Sequence, residues 1–324
     1  MIFRLIVQVM LSTVFLQFLP YDGGMMERLA VNPEGIDRTA LAVEESLDTN
    51  RPHLPEALDV SQPPTRVHPT SVGVETTAVS ALVLDRTTRT PLFEKNIDEP
   101  RSIGSITKLM TAHIFLETSP DLDAQAAIES QDVRLGGTQH IPVGDLVTVR
   151  DLLKASLVGS DNSATAALAR LSGMTEGDFV ARMNEAAAEI GMQRTTFVDM
   201  TGLSQDNRSI VADLALMLDH ILQNETIRTI TQQSVITVSS TSGSFYTVES
   251  TDDLLHSFLN QPPYAIVGGK TGYLPEAGYC LGTIFSENGG HEIIVVVLGS
   301  ETDQSRFQDV KSLAAWAYKV YDWL

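Results

Sequence analysis

Apolar and polar positions follow two different periods along this chain, and the switches between them mark out its elements. Ala78–Asp85 and Leu92–Lys95 read as short strands around the turn Thr87-Thr88-Arg89-Thr90. Arg101–Thr118 has helical spacing and is ended by Ser119-Pro120. A mainly polar region runs to Gly144. Helical spacing then returns in Val149–Leu157, Ser163–Leu171, Glu176–Ile190 (closed by Gly191) and Ser209–Leu222. Within this block, Thr195–Leu203 predicts a strand and turn. Val235–Val238 and Ser244–Val248 predict a hairpin about Gly243. Three further strands are predicted at Ala265–Gly272, Ala277–Ser286 and Glu292–Gly299, the last two joined through Asn288-Gly289-Gly290. Ile293–Leu298 is apolar throughout, as expected of a strand covered on both faces. A helix from Asp303 to Tyr321 closes the pattern. Early strands, a block of helices, late strands and a terminal helix predict one α/β domain with a helical insertion.

The first 75 residues have a different texture. Arg4 precedes an apolar run from Leu5 to Leu19, which predicts a signal peptide or an N-terminal membrane anchor over residues 1–20. Val31–Glu75 holds six prolines, eight acidic residues, three arginines and no aromatic residue, too little apolar surface to offset chain entropy. Residues 21–75 are therefore expected to be a disordered, acidic, proline-rich linker, with the folded domain at 76–324. A net charge of −19 argues against nucleic-acid binding, for which a basic face is the footprint. Gly269-Lys270-Thr271 ends like a P-loop, but Tyr264 stands where that motif needs its first glycine. Cys280 is the single cysteine, so no intramolecular disulfide can form; a buried strand position suits it.

Candidate chemistry starts with Ser105 and Lys108. Three residues are close to one helical turn, so both side chains leave the same face. A serine hydroxyl becomes a nucleophile when an adjacent base takes its proton, and a neutral amine is such a base. By itself this pair also fits an ordinary helix start with a solvated lysine. Ser160-Asp161-Asn162 follows 55 residues later in a turn between helices, where capping alone would explain it. Lys270-Thr271-Gly272 lies on a late strand, 165 residues after Ser105. Order and spacing make the three far more specific together than any one alone. No H-E-x-x-H pairing and no G-x-S-x-G elbow accompany them, so no metal site and no cofactor are expected, and His113 reads as a packed or surface residue.

On these motifs the chain resembles the penicillin-recognising serine D,D-peptidases, most closely the low-molecular-mass D-alanyl-D-alanine carboxypeptidases and related endopeptidases. Supporting stretches surround Ser105, Phe197–Asn207 and Gly268–Gly282. The resemblance implies a β-lactamase/transpeptidase-like fold, an antiparallel sheet flanked by helices with a helical subdomain. It implies that Ser105 attacks the D-Ala-D-Ala carbonyl, and that Lys108 is the general base, its pKa lowered by burial and by the charge of Lys270. Ser160 would pass a proton to the leaving amine, and Asn162 would hold Lys108 and a substrate amide. Lys270 and Thr271 would bind the terminal carboxylate, and Gly272 would let substrate backbone lie along the strand edge. The backbone N–H groups of Ser105 and Tyr273 would form the oxyanion hole. Peptidoglycan stem peptides are the implied substrate and β-lactam antibiotics the implied covalent inhibitors. The implied place is the bacterial cell envelope, at the outer face of the cytoplasmic membrane, in the periplasm or in the extracellular wall zone, with the N-terminal segment as membrane contact.

Four departures from the family pattern stand out. Gly104 replaces a common alanine, Leu274 follows Tyr273 where a hydroxyl residue is common, Ser250–Leu255 replaces an asparagine-containing segment, and Ser160-Asp161-Asn162 replaces S-G-N. The extra C-terminal β-rich domain of many carboxypeptidases would have no room after the terminal helix. D,D-endopeptidase action on crosslinks stays open as an alternative with the same residues. A β-lactamase would need a positioned glutamate for deacylation; only Asp199, Glu185 and Glu189 are near the expected place, and no E-x-x-L-N motif occurs. A non-catalytic, tethered wall-binding protein is the remaining reading.

Overall fold

The computed structural model describes residues 62–323. The expected signal or anchor at 1–20, and the expected linker as far as residue 61, lie outside the described residues. Among the described residues no helix is long and apolar enough to cross a membrane.

Two early strands, β1 (Ser80–Asp85) and β2 (Pro91–Lys95), lie at the two predicted runs, the first starting two residues later and the second one residue earlier than expected. The helices are α1 (Thr107–Glu117), α2 (Val149–Leu157), α3 (Asn162–Leu171), α4 (Glu176–Ile190), α5 (Val211–Ile221) and α6 (Glu225–Thr231). The long strands β3 (Tyr264–Leu274), β4 (Gly278–Glu287) and β5 (His291–Ser300) follow, and α7 (Asp303–Val320) ends the domain. All five strands form one antiparallel sheet in the order β3-β4-β5-β1-β2. Strand β3 is therefore an edge, with one side unpaired by the sheet.

The apolar run in β5 sorts its side chains onto two cores, because successive residues of a strand face opposite ways. Ile293, Val295 and Val297 pack with Phe307, Val310, Leu313 and Ala317 of α7. Ile294, Val296 and Leu298 pack on the other face with Leu109 of α1 and Leu214 and Leu218 of α5. The helices start at side-chain caps: Thr148 accepts from Asp151 N for α2, Thr175 from Asp178 N for α4, and Thr302 from Ser305 N for α7.

Several expectations change. The helix predicted from Arg101 starts only at Thr107. Arg101–Ser102 instead pair as a two-residue strand with Arg208–Ser209, and Gly104–Ile106 make a 3₁₀ turn whose first residue has φ +53°. Thr195–Leu203 contributes a single bridge, Thr196 to Arg208, and is otherwise irregular. The polar region before Gly144 includes Gln125–Ala127, which pairs with Leu146–Thr148. The folded region also begins ahead of Thr76: Thr65–Arg66 pair with Tyr321–Asp322, and Trp316 Nε1 donates to Ser71 Oγ at 2.8 Å.

Candidate active site

The 3₁₀ turn carrying Ser105 is pressed against the edge strand β3. A Cβ on Gly272 would lie 2.2 Å from the Ile103 carbonyl oxygen, and one on Gly104 would lie 2.7 Å from Tyr273 N. Backbone therefore meets backbone here, and only glycine leaves the room. This gives Gly272 a structural reason distinct from the expected one: the space freed by its missing side chain is taken by the turn that holds Ser105. Ser105 and Tyr273 both line the adjoining cleft, of about 390 Å³.

Lys108 is fully buried under Ser105. Its Nζ donates to Ser105 Oγ at 2.9 Å, to Asn162 Oδ1 at 2.6 Å and to the Thr201 carbonyl at 2.6 Å. Burial disfavours the charged amine and brings its pKa from the usual lysine range to about 7, against the opposing pull of Asp199 and Asp161. A serine hydroxyl bonded to an amine that is partly neutral near pH 7 can lose its proton to that amine. Burial is the leading cause at Lys108, and the two buried amines also repel one another.

The Ser160-Asp161-Asn162 turn divides its labour. Asp161 is the cap, as the local reading predicts: it accepts from Ser163 N and Ala164 N, both at 2.9 Å, and from His140 N at 2.7 Å. Its neighbours face the cleft. Asn162 spends Oδ1 on Lys108 and donates from Nδ2 to the Gly136 carbonyl at 2.7 Å. Ser160 is held in the left-handed region with φ 57°, a conformation that costs a non-glycine residue about 1–3 kcal/mol and persists where surroundings enforce it.

Lys270, 2% exposed, comes from β3 on the opposite wall. Its Nζ reaches Ser160 Oγ at 3.1 Å, Thr271 Oγ1 at 3.3 Å and Thr251 Oγ1 at 3.4 Å. Burial lowers its pKa well below the usual lysine value, helped by the charges of Lys108 and Arg306 and opposed by Asp252. The structure thus brings Ser105, Lys108, Ser160, Asn162, Lys270, Thr271, Gly272 and Tyr273 to one cleft or directly beneath it. Leu274 lies on the rim.

Four contributions escape motif reading. The Thr201 carbonyl is held by Asp199, whose Oδ1 accepts from Thr201 N at 2.6 Å and Gly202 N at 2.7 Å and whose Oδ2 accepts from Ser204 N at 2.7 Å. Asn207, fully buried, joins this loop to the start of α1 by donating to Thr107 Oγ1 at 3.1 Å and accepting from Val198 N at 2.7 Å. Thr251 lines the cleft from the Ser250–Leu255 segment. Arg306 of α7 also lines it, donating to the Gly272 carbonyl at 3.2 Å. A buried cation inside an amphipathic helix leaves no motif, and a carbonyl has no side-chain signature at all.

None of the three carboxylates considered for deacylation faces the cleft. Asp199 is occupied in its loop, and Glu185 and Glu189 pair with Arg182 on the surface of α4. His113 sits 3.5 Å from Glu117 and edge-on to His220, away from the cleft lining. Among the described residues no group of three or more His, Cys, Asp or Glu side chains is arranged to hold a metal ion.

Comparison with known proteins places this geometry in context. The chain is 30% identical over 254 residues to the D-alanyl-D-alanine carboxypeptidase DacF of Bacillus subtilis, covering 76% of this chain and 63% of that protein. It therefore spans less than two thirds of that relative's length. It is 34% identical over 206 residues to the D-alanyl-D-alanine endopeptidase of Haemophilus influenzae, covering 63% of this chain and 69% of the relative. The crystal structure of the Streptomyces K15 DD-transpeptidase superposes with a TM-score of 0.70 at 30% identity, over 77% of this chain and all of that one. Residues 62–302, well over half of the chain, match the family described as D-alanyl-D-alanine carboxypeptidase. The cleft just described is thus the site of a chain that belongs to the D-alanyl-D-alanine carboxypeptidase family.

Proposed function

We propose that this protein is a serine D,D-carboxypeptidase that removes the terminal D-alanine from peptidoglycan stem peptides through an acyl-enzyme at Ser105. The observation that carries the reading is the Ser105–Lys108–Asn162 cluster beside the free edge of β3. Substrate backbone pairs along that edge, as an added strand does. The terminal carboxylate sits by Lys270 and Thr271, and its charge raises the Lys270 pKa again, since an opposite charge nearby favours the protonated amine. Neutral Lys108 takes the Ser105 proton as Oγ attacks the D-Ala carbonyl. The developing oxyanion is met by the amides of Ser105 and Tyr273, each donor worth about 10²–10³ in rate. Ser160, held by Lys270, relays to the departing D-alanine amine the proton that Lys108 took from Ser105, regaining its own hydrogen in the transfer; water then hydrolyses the ester and returns a proton to Ser105. With no carboxylate in the cleft lining, the glutamate-driven deacylation of a β-lactamase has no candidate among the described residues. β-Lactams fit the same site as acylating mimics of the substrate.

Action on peptidoglycan places the protein in the cell envelope. The apolar run at residues 1–20 and the acidic, proline-rich stretch after it fit a chain delivered across the cytoplasmic membrane and tethered at its outer face.

A second reading, crosslink-cleaving endopeptidase, is favoured by the 34% identity to a protein of that name. Product analysis decides between them. Purified pentapeptide monomers and crosslinked dimers are incubated with wild type and with Ser105→Ala. Release of D-alanine from the monomer is expected from wild type and none from the folded variant. Cleavage of the dimer alone would establish the endopeptidase reading, and failure of wild type to cleave either or to bind penicillin covalently would leave a non-catalytic wall-binding protein.

A further inference from the structure

The segment Ser250–Leu255 puts a hydroxyl into the cleft that belongs to none of the three motifs. Thr251 N donates to the Val158 carbonyl at 3.1 Å, which ties its backbone to the end of α2, two residues from Ser160. On the other side, buried Asp252 caps a short turn by accepting from Leu254 N at 3.0 Å. Backbone on both flanks of Thr251 is thus fixed, and its side chain is aimed at β3. The Thr251 and Thr271 hydroxyl oxygens are 2.6 Å apart, and both are within 3.4 Å of Lys270 Nζ.

Proton counting in this triangle has a definite outcome. Each threonine hydroxyl carries one hydrogen, and in the protonated form of Lys270, which an approaching anion favours, the amine donates only. Between the two hydroxyls, one donates and the other accepts. Neither oxygen has another acceptor in reach among the described residues, so the second hydroxyl keeps a hydrogen with no partner in the protein. That hydrogen lies on the cleft wall beside a cation, and an anionic oxygen is the group that satisfies both at once.

We infer that Thr251 is a substrate-binding residue, coupled to Thr271 so that the pair presents one O–H to the substrate's terminal carboxylate beside Lys270. The inference rests on the carboxypeptidase reading above and adds a specificity element to it: the pair distinguishes a free carboxylate from a neutral terminus. Either threonine can be the outward donor, so the site adapts to carboxylates arriving at slightly different depths.

The test uses two synthetic stem peptides that differ only in ending with a D-alanine carboxylate or the corresponding carboxamide. kcat/KM is measured on both for wild type, Thr251→Val, Thr251→Ala and Thr251→Ser. Each hydroxyl-free variant is expected to reduce the carboxylate-to-carboxamide preference about tenfold, chiefly through KM, as loss of one hydrogen bond to a charged group does. Thr251→Ser is expected to restore the preference, which a purely structural role of the side chain would not require. Melting temperatures identify which variants are folded, and either hydroxyl-free variant in folded form is sufficient. An unchanged preference, or an equal loss on both peptides, overturns the inference while leaving the carboxypeptidase reading intact. Wild type that turns over neither peptide overturns both.

Discussion

Two buried lysines share this cleft, and their surroundings differ in kind. Lys108 is ringed by acceptors of fixed direction: a backbone carbonyl, a side-chain amide oxygen whose own N–H is anchored on Gly136, and one hydroxyl, Ser105. Lys270 is ringed mainly by hydroxyls, those of Ser160, Thr251 and Thr271, each able to turn. Fixed acceptors hold the Lys108 amine in one place and leave Ser105 as the group with a proton to give. Turning hydroxyls let the Lys270 side change partners when an anion arrives. One lysine is built for proton transfer and the other for charge recognition, and burial alone would not have told them apart.

The comparison breaks most visibly at Lys108. Lys108→Met removes the base, and acylation by penicillin or peptide is expected to fall about 10²–10⁴-fold with the fold retained by circular dichroism. In wild type the acylation rate should climb with pH through about 7, because the amine must be neutral to accept a proton and burial sets its pKa there. A rate that is flat between pH 5.5 and 8.5 would remove Lys108 from the base role. Breaking the other side costs less. Lys270→Met deletes charge-assisted bonds to the substrate, and kcat/KM on carboxylate-terminated peptides should drop about 10–100-fold while carboxamide peptides are affected less. An equal effect on both would mean that Lys270 does not read the carboxylate. The smallest effect is expected one step removed, at the loop that positions the Thr201 carbonyl. Asp199→Ala strands several backbone N–H groups and should cost about 1–3 kcal/mol in denaturant unfolding, with a modest loss of acylation. Unchanged stability would show that the loop holds its shape without that carboxylate.

How much of this was legible depends on distance along the chain. Ser105 and Lys108 are related by one turn, and Ser160 and Asn162 flank a capping aspartate, so local spacing already aligned them. The helical spacing of α2 and α4 predicted those helices with the observed ends, and the apolar run of β5 predicted its strand to within one residue at each end, because it meets a core on both faces. Tertiary pairing was hidden. Arg101–Ser102 leave the helical register because they bind Arg208–Ser209, and a two-residue pairing has no periodicity to read. Thr65–Arg66 join the fold for the same reason, through Tyr321–Asp322. Within the site, Thr251, Arg306 and the Thr201 carbonyl reach the cleft from elements whose local sequence advertises only a turn, a helix and a loop.

The central claim is that Ser105 is the acyl acceptor, and its most direct test is to locate the covalent adduct. Wild-type protein treated with a β-lactam is digested and the modified peptide sequenced by mass spectrometry, alongside Ser105→Ala. The account predicts one adduct per chain, on the peptide containing Ser105, and no adduct in the folded variant. An adduct on another residue, or labelling that survives Ser105→Ala, would contradict it.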